Sequence, residues 1–332
     1  MVQSNKKQIK VLNENLPIIK SGWKGNLIDS KGRYTNLDGP SMRGFKALMK
    51  WQLSTNPFAE EKKNQSSNVN VVQNSNFLED KNLGFTWIGH TTYLFQIGPY
   101  KIITDPILKD IWPLKRYTPL PCSEEKFSDI DFILLSHNHR DHCDKTSLVS
   151  LCKRNPSAKI LTGLAIGPML KKWGIKNTIE EAGWYQRYLT ETDLTIHYLP
   201  AKHWNRRYLH DLNTMLWGSF MIAYNGVHLY FGADSGMGIH YQEIKKLYPK
   251  IDYAFLGIGA YEPVWFMKRS HTSPKDVVTI KELMEIGRVV PMHYGTFDLS
   301  NEPVSNPKKV LQSIVSGDAD YLFLDIGRKF IL

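Results

Sequence analysis

Cysteine is scarce: Cys122, Cys143 and Cys152 are the only three in 332 residues. So small and odd a number, without paired spacing, excludes a disulfide scaffold and fits a reducing compartment. No CxxC pair occurs, which removes thiolate zinc sites. No apolar run approaches the roughly 18 residues of a membrane span. The opening stretch, MVQSNKKQIKVLNENLPIIK, lacks the apolar core of a secretory leader. No block of five like charges and no internal repeat is present, so the concentrated basic tract of a nucleic-acid binder is missing. These absences lead to an expectation of a cytoplasmic protein, with peripheral attachment to a membrane surface left open and no nucleic-acid partner.

What is present is a basic, ordinary globular composition. Lys and Arg number 42 against 32 Asp and Glu, a net charge of +10. Such a balance favours anionic partners, phosphate groups among them, without selecting one. Hydrophobic residues make up 42% and charged residues 22%, enough for a sizeable core.

Two regions differ in texture. Residues 1–80 are polar and read as an N-terminal extension, with Glu60 to Asn68 as a loop or linker. Within it, 41–53 reads as a short helix in which Met42, Phe45 and Met49 recur on one side, beside Arg43, Lys46 and Lys50. That helix either packs on the main body or lies as a basic amphipathic helix on a membrane. Residues 81–332 read as the main domain. Strand-like runs fall at 85–88, 93–97, 101–104, 131–135, 159–162, 194–199, 219–224, 228–231, 253–256, 289–292 and 321–324. A helix is predicted from Ser273 to about Met284, with Pro274 at its first position and Asp276 completing a cap, and another over 241–247. Hairpin-like pairs mixed with strand–helix units imply large mixed sheets flanked by helices, an α/β protein.

The strongest signal is Ser136-His137-Asn138-His139-Arg140-Asp141-His142, directly after an apolar strand. Sites of α/β sheets sit just beyond strand C-termini. His137 and His139 can converge on one ion from a turn, and Asp141 and His142 can face a second. Imidazole and carboxylate suit zinc, and also iron or manganese. Two ions need more ligands. His203, Asp234 between Gly232 and Gly236, and His293 each stand just past a predicted strand. Each alone would read as a structural residue; beside the first cluster they read as ligands.

This His-x-His-x-Asp-His run, followed by an isolated His, an Asp and a last His, resembles the metallo-β-lactamase superfamily. The segments Thr86-Trp87-Ile88-Gly89-His90, Thr104-Asp105-Pro106, Leu216-Trp217-Gly218-Ser219, Gly259-Ala260-Tyr261-Glu262-Pro263, Trp265-Phe266-Met267 and Gly295-Thr296-Phe297 resemble its N-acyl-phosphatidylethanolamine-hydrolysing phospholipase D branch. The metal motif speaks only for the superfamily; the GAYEP and WFM segments are more specific to the branch. Two departures stand out. The Asp234 segment reads Gly-Ala-Asp-Ser-Gly where the family pattern has Gly-Asp-Thr-Gly, and the first 80 residues match loosely.

The resemblance implies a four-layer αβ/βα sandwich with two zinc ions between the sheets. It assigns His137, His139 and His203 to the first ion and Asp141, His142 and His293 to the second, with Asp234 bridging. A water shared by two such ions loses its proton near neutral pH and would attack phosphorus in line with the leaving alkoxide. Asp141 would also orient that nucleophile. His271 is the candidate general acid or oxyanion partner, beside a structural reading as a histidine preceding a helix. Asp105 either orients a metal-bound histidine or stabilises a turn. Tyr261, Glu262, Trp265, Phe266 and Met267 are either core or the wall of a pocket for acyl chains. His90 reads as structural and Cys143 as a small buried hydrophobe. His197, His210, His228 and His240 carry no motif. The expected reaction is hydrolysis of N-acyl-phosphatidylethanolamine or a similar phosphodiester to phosphatidic acid and N-acylethanolamine. The competing readings are a lactonase of the ascorbate-phosphate type on the same site, and a non-catalytic membrane-associated protein stapled by metal. A homodimer is a further expectation from the resemblance.

Overall fold

The computed structural model describes residues 9–190 and 193–332. A short ribbon, β1 (Ile9–Val11) and β2 (Asn26–Ile28), precedes the main body. Two small helices follow, α1 (Phe45–Leu53) and α2 (Ala59–Lys63). The first sheet then forms from β3 (Gly84–Gly89), β4 (Thr92–Ile97), β5 (Tyr100–Thr104), β6 (Phe132–Leu135), β7 (Lys159–Gly163) and β8 (Ile179–Ala182). Helices α3 (Lys145–Arg154) and α4 (Gly167–Lys172) connect its later strands. The second sheet comprises β9 (Gln186–Arg187), β10 (Leu194–Leu199), β11 (Ser219–Tyr224), β12 (Val227–Phe231), β13 (Ile251–Gly257) and β14 (Ile286–Met292). Its connections carry α5 (His240–Leu247), α6 (Val264–Met267) and α7 (Pro274–Met284). After α8 (Asn306–Val315), β15 (Lys329–Ile331) returns to pair antiparallel with β3, giving a first-sheet order of β15-β3-β4-β5-β6-β7-β8.

Side-chain alternation explains the layering. Along β6, Phe132 and Leu134 enter the core between the sheets, while Ile133 and Leu135 enter a second core beneath α3 and α4. A strand buried on both faces needs an unbroken apolar run, and FILL supplies one. Phe85, Tyr93 and Phe95 meet Phe255 of the second sheet at ring separations of 4.8–5.0 Å. Val277, Ile280 and Met284 of α7 are buried in the same cluster as the second sheet's residues. The result is helix, sheet, sheet, helix: the metallo-β-lactamase fold.

Topology sets the position of the site. Strands β5 to β8 run parallel, as do β12 to β14, and β10 shares the direction of β12 because both are antiparallel to β11. C-termini of each parallel set therefore emerge on one edge.

Several elements differ from the sequence reading. Residues 321–324 form no strand; Tyr321 makes only an isolated bridge to Val289, and the edge strand is β15. The first helix begins at Phe45, because Ser41 is used elsewhere: its hydroxyl donates to the carbonyl of His203. Helix α2 occupies the start of the stretch read as a loop. Residues 9–80 are stitched to the body. Ile18 bridges Gln186, Val71 bridges Ile326, and Lys62 pairs with Asp298 at 2.5 Å. No helix among the described residues is long and apolar enough to cross a membrane.

Candidate metal centre

Every predicted ligand lies just past a strand. His137, His139, Asp141 and His142 follow β6, and the loop ends where Asp144 caps α3 by accepting from Ser147 N. His203 follows β10, Asp234 follows β12 and His293 follows β14. Four backbones here sit in the left-handed region without being glycine: His90 (φ 54°), Asp105 (φ 35°), Ala233 (φ 49°) and His293 (φ 61°). Such conformations cost roughly 1–3 kcal/mol each and gather where geometry serves function.

The seven residues converge as two groups. In the first, His139 Nδ1 lies 2.9 Å from His137 Nε2 and 3.1 Å from His203 Nε2, and Asp234 Oδ2 is 3.7 Å from His203 Nε2. In the second, His142 Nε2 is 3.4 Å from Asp141 Oδ2 and 3.2 Å from Asp234 Oδ2, and His293 Nε2 is 3.6 Å from Asp141 Oδ2 and 3.1 Å from Asp234 Oδ1. Asp234 thus faces both groups with one carboxylate.

Hydrogen bonds behind the ligands fix which ring nitrogen points inward. His203 Nδ1–H donates to the Ser270 carbonyl at 2.9 Å, leaving Nε2 for the centre. His142 Nδ1–H donates to Asp105 Oδ2 at 2.8 Å. Ser136 Oγ donates to Asp105 Oδ2 at 2.6 Å and faces His137 Nδ1 at 2.9 Å. Fully buried Asp105 thus orients His142 directly and His137 through Ser136, one histidine of each group.

These donors fit divalent cations. A tetrahedral ion with nitrogen arms of about 2.0–2.1 Å separates its ligand atoms by about 3.3 Å. His137 Nε2 and His203 Nε2 lie 2.9 and 3.1 Å from His139 Nδ1, and a single proton on that atom can satisfy only one of them, whereas a cation among the three satisfies all. Buried His142 Nε2 and His293 Nε2 also lack a hydrogen-bond partner.

Electrostatics agree. Burial works against ionising Asp141 and Asp234, yet the facing His142 ring overrides it and both carboxyls lie well below the usual range. Burial drives His137 and His203 well below their ordinary value and His139 down to about 4, so these three imidazoles are neutral and ready to ligate. For His142 and His293 burial is outweighed by Asp234 and Asp141, and His293 rises to about 9. A bound cation would displace those protons.

His271 lies on the outer side of the centre, Nδ1 3.7 Å from Asp234 Oδ2. It opens into a cavity of about 360 Å³ walled by Phe45, Leu48, Trp51, Trp204, Phe266, Met267 and Leu299, with Arg43 and Arg206 among its lining residues. Of the five residues read as a pocket wall, Phe266 and Met267 line it. Tyr261 and Glu262 are held by Glu302, whose carboxylate accepts from both backbone N–H groups, and Tyr261 OH donates to Asn306 Oδ1. Trp265 lies under Lys50 at 5.2 Å rather than in the cavity.

Three contributors escaped the sequence reading. His90 lies within the second group, its Nε2 3.1 Å from Asp141 Oδ2. Asn36 clasps His203 from both sides, accepting from its N–H at 3.1 Å and donating to its carbonyl at 2.9 Å. Arg207 donates to the carbonyls of Asn138 and Cys143, spanning the ligand loop, at 3.1 and 2.7 Å. None has a spacing signal; only Gly89-His90, with its glycine at a strand end, hinted at a special backbone.

The sequence profile of the Beta-lactamase superfamily domain matches residues 100–294, more than half of the chain. The chain belongs to the metallo-β-lactamase superfamily. It is a metal-dependent hydrolase of that superfamily. The N-acyl-phosphatidylethanolamine-hydrolyzing phospholipase D 1 of Caenorhabditis elegans is 28% identical over 326 residues, spanning 91% of this chain and 92% of the relative. The mitochondrial N-acyl-phosphatidylethanolamine-hydrolyzing phospholipase D of Saccharomyces cerevisiae is 31% identical over 242 residues, 69% of this chain and 51% of that relative. Among solved structures, a metallo hydrolase from the archaeon Ignicoccus hospitalis superposes with a TM-score of 0.58 at 20% identity, covering 76% of this chain and 98% of that one, a likeness of fold alone.

Proposed function

We propose that the protein is a phosphodiesterase of phospholipase D type, cleaving N-acyl-phosphatidylethanolamine or a similar lipid phosphodiester to phosphatidic acid and N-acylethanolamine. His137, His139, His203, Asp141, His142, His293 and Asp234 would hold two divalent cations, zinc by ligand type, with iron or manganese suiting the same donors. Bound there, the ions supply a water made acidic and a counter-charge for the phosphoryl oxygens.

The observation that carries the reading is the cavity joining His271 to α1. Its walls are aliphatic and aromatic, as acyl chains require, and Arg43 and Arg206 offer guanidinium groups suited to phosphate. A small polar lactone would leave that apolar wall unused. The names of the worm and yeast relatives support the same substrate class.

The chain's own groups divide the work. Asp141 and Asp234 are ionised and hold charge at the centre. Burial keeps His271 neutral, its pKa brought down to about 4. At rest it therefore offers an N–H to a phosphoryl oxygen or departing alkoxide; an arriving phosphate anion would raise its proton affinity toward general-acid use. Helix α1 exposes Phe45 (74%) and Leu53 (80%) beside Lys46 and Lys50, a surface suited to an anionic membrane at the cavity's edge.

Zinc-loaded protein assayed on N-acyl-phosphatidylethanolamine, simple phosphodiesters and lactones tests the reading. Turnover of the lipid is expected, with His271→Ala lowering kcat by about 10²–10⁴ while metal content is kept. Preference for lactones, or no turnover of any phosphodiester, would sink it. Co-sedimentation with anionic vesicles tests the helix: Phe45→Asp should release the protein.

A further inference from the structure

We propose that His90 is a positioning residue for Asp141, fixing through its Nε2–H the carboxylate that serves the second cation. This rests on the two-cation reading above. The contact is direct, His90 Nε2 to Asp141 Oδ2 at 3.1 Å, and that same oxygen faces His142 and His293. The proton belongs on Nε2, because the opposite tautomer would set a ring lone pair against a carboxylate. His90 Nδ1 is buried and without a partner, so no second acceptor competes for the ring.

The backbone is built to aim this ring. The β3–β4 register shifts between Trp87 and Gly89, a bulge of the kind that redirects a side chain beside a site. Gly89 (φ 121°) and His90 (φ 54°) then take successive positive φ values. Glycine accommodates this freely; a histidine does not, and holds it because the segment is pinned. His90 N–H donates to Thr296 Oγ1 at 2.9 Å, and its carbonyl accepts from His293 N at 3.2 Å and Trp87 Nε1 at 3.0 Å. Its ring lies 4.2 Å from that of His293 and edge-on to Phe297 at 5.2 Å. A residue needed only to fill space has no reason to be imidazole there. An apolar ring would fit the same neighbours and leave Asp141 Oδ2 short of a donor.

Zinc affinity measured by chelator competition, with the visible spectrum of the cobalt-substituted protein, separates the roles. In His90→Phe one of the two zinc ions should lose about 10–100-fold in affinity, the other should be unchanged, and the cobalt bands that shift should be those of the site holding Asp141. His90→Gln, whose amide can reach Asp141, should restore most of the affinity. His90→Asn, on a shorter stem, should not, and this pair decides the matter if His90→Phe does not fold. Equal affinity in wild type, His90→Phe and His90→Asn overturns the proposal, as does a His90→Gln protein as deficient as His90→Asn. A wild-type protein that binds no divalent cation would instead sink the two-cation reading itself.

Discussion

At the scale of single residues, Asp105 carries the largest leverage for its size. It accepts from His142 and from both the N–H and hydroxyl of Ser136, which in turn contacts His137. In Asp105→Asn one oxygen can still accept from Ser136 N, but the amide offers a donor where His142 needs an acceptor. Metal affinity should fall by about 10–100-fold, read by chelator competition, with the far-ultraviolet circular dichroism retained. The convergence of the candidate ligands was legible in the sequence because each acid or imidazole follows an apolar strand. Asp105 was half legible for the same reason. His90 was not, since a lone histidine after glycine announces neither its bulge nor its φ. Of the two readings given to Tyr261 and Glu262, the packed one matches their place away from the cavity, and a GAYEP motif carries no sign that Glu302, some forty residues on, holds it.

Elements obey more local rules. Helix α7 begins as its sequence promises. Ser273 Oγ accepts from Asp276 N, Asp276 Oδ2 accepts from Ser273 N at 2.8 Å, and Pro274 occupies the first turn. Ser273→Ala should lower the unfolding free energy by about 0.5–2 kcal/mol, read from the denaturant midpoint. Strands with alternating or continuous apolar runs were found from composition; β8, reading IEEA, and the two-residue β9 were not, because their pairing depends on neighbours rather than on their own side chains. Strand β10 carries a pH liability. Burial, then Arg187 and His228, bring His197 down to about 4, and Tyr248 OH lies 2.7 Å from its Nδ1. The unfolded chain takes up this proton near pH 6.5 while the folded one resists until about 4. Stability from this group is therefore complete above pH 6.5 and lost as pH falls toward 4, on the order of 3 kcal/mol in all. His197→Gln should flatten the unfolding free energy over that window; an unchanged pH profile would refute the assignment.

For the whole molecule, residues 9–80 matter through contacts with the body. Asn36 reaches across to His203 and also accepts from Trp217 Nε1 at 3.2 Å. Asn36→Leu should cost about 1–3 kcal/mol by stranding buried partners, and should weaken zinc binding as well. A loss of stability with affinity untouched would show that the clasp serves only folding.

The candidate ligands are drawn from the exits of both sheets, His137 to His142 from one and His203, Asp234 and His293 from the other. A cation pair seated there would act as a rivet through the middle of the sandwich, and neither half could grip it unaided. Thermal resistance should then follow the free zinc concentration, gaining about 2.7 kcal/mol at a hundredfold excess over Kd. Stripping the ions with a chelator should loosen the seam between the layers before either layer melts, exposing amides at the strand exits to hydrogen exchange first.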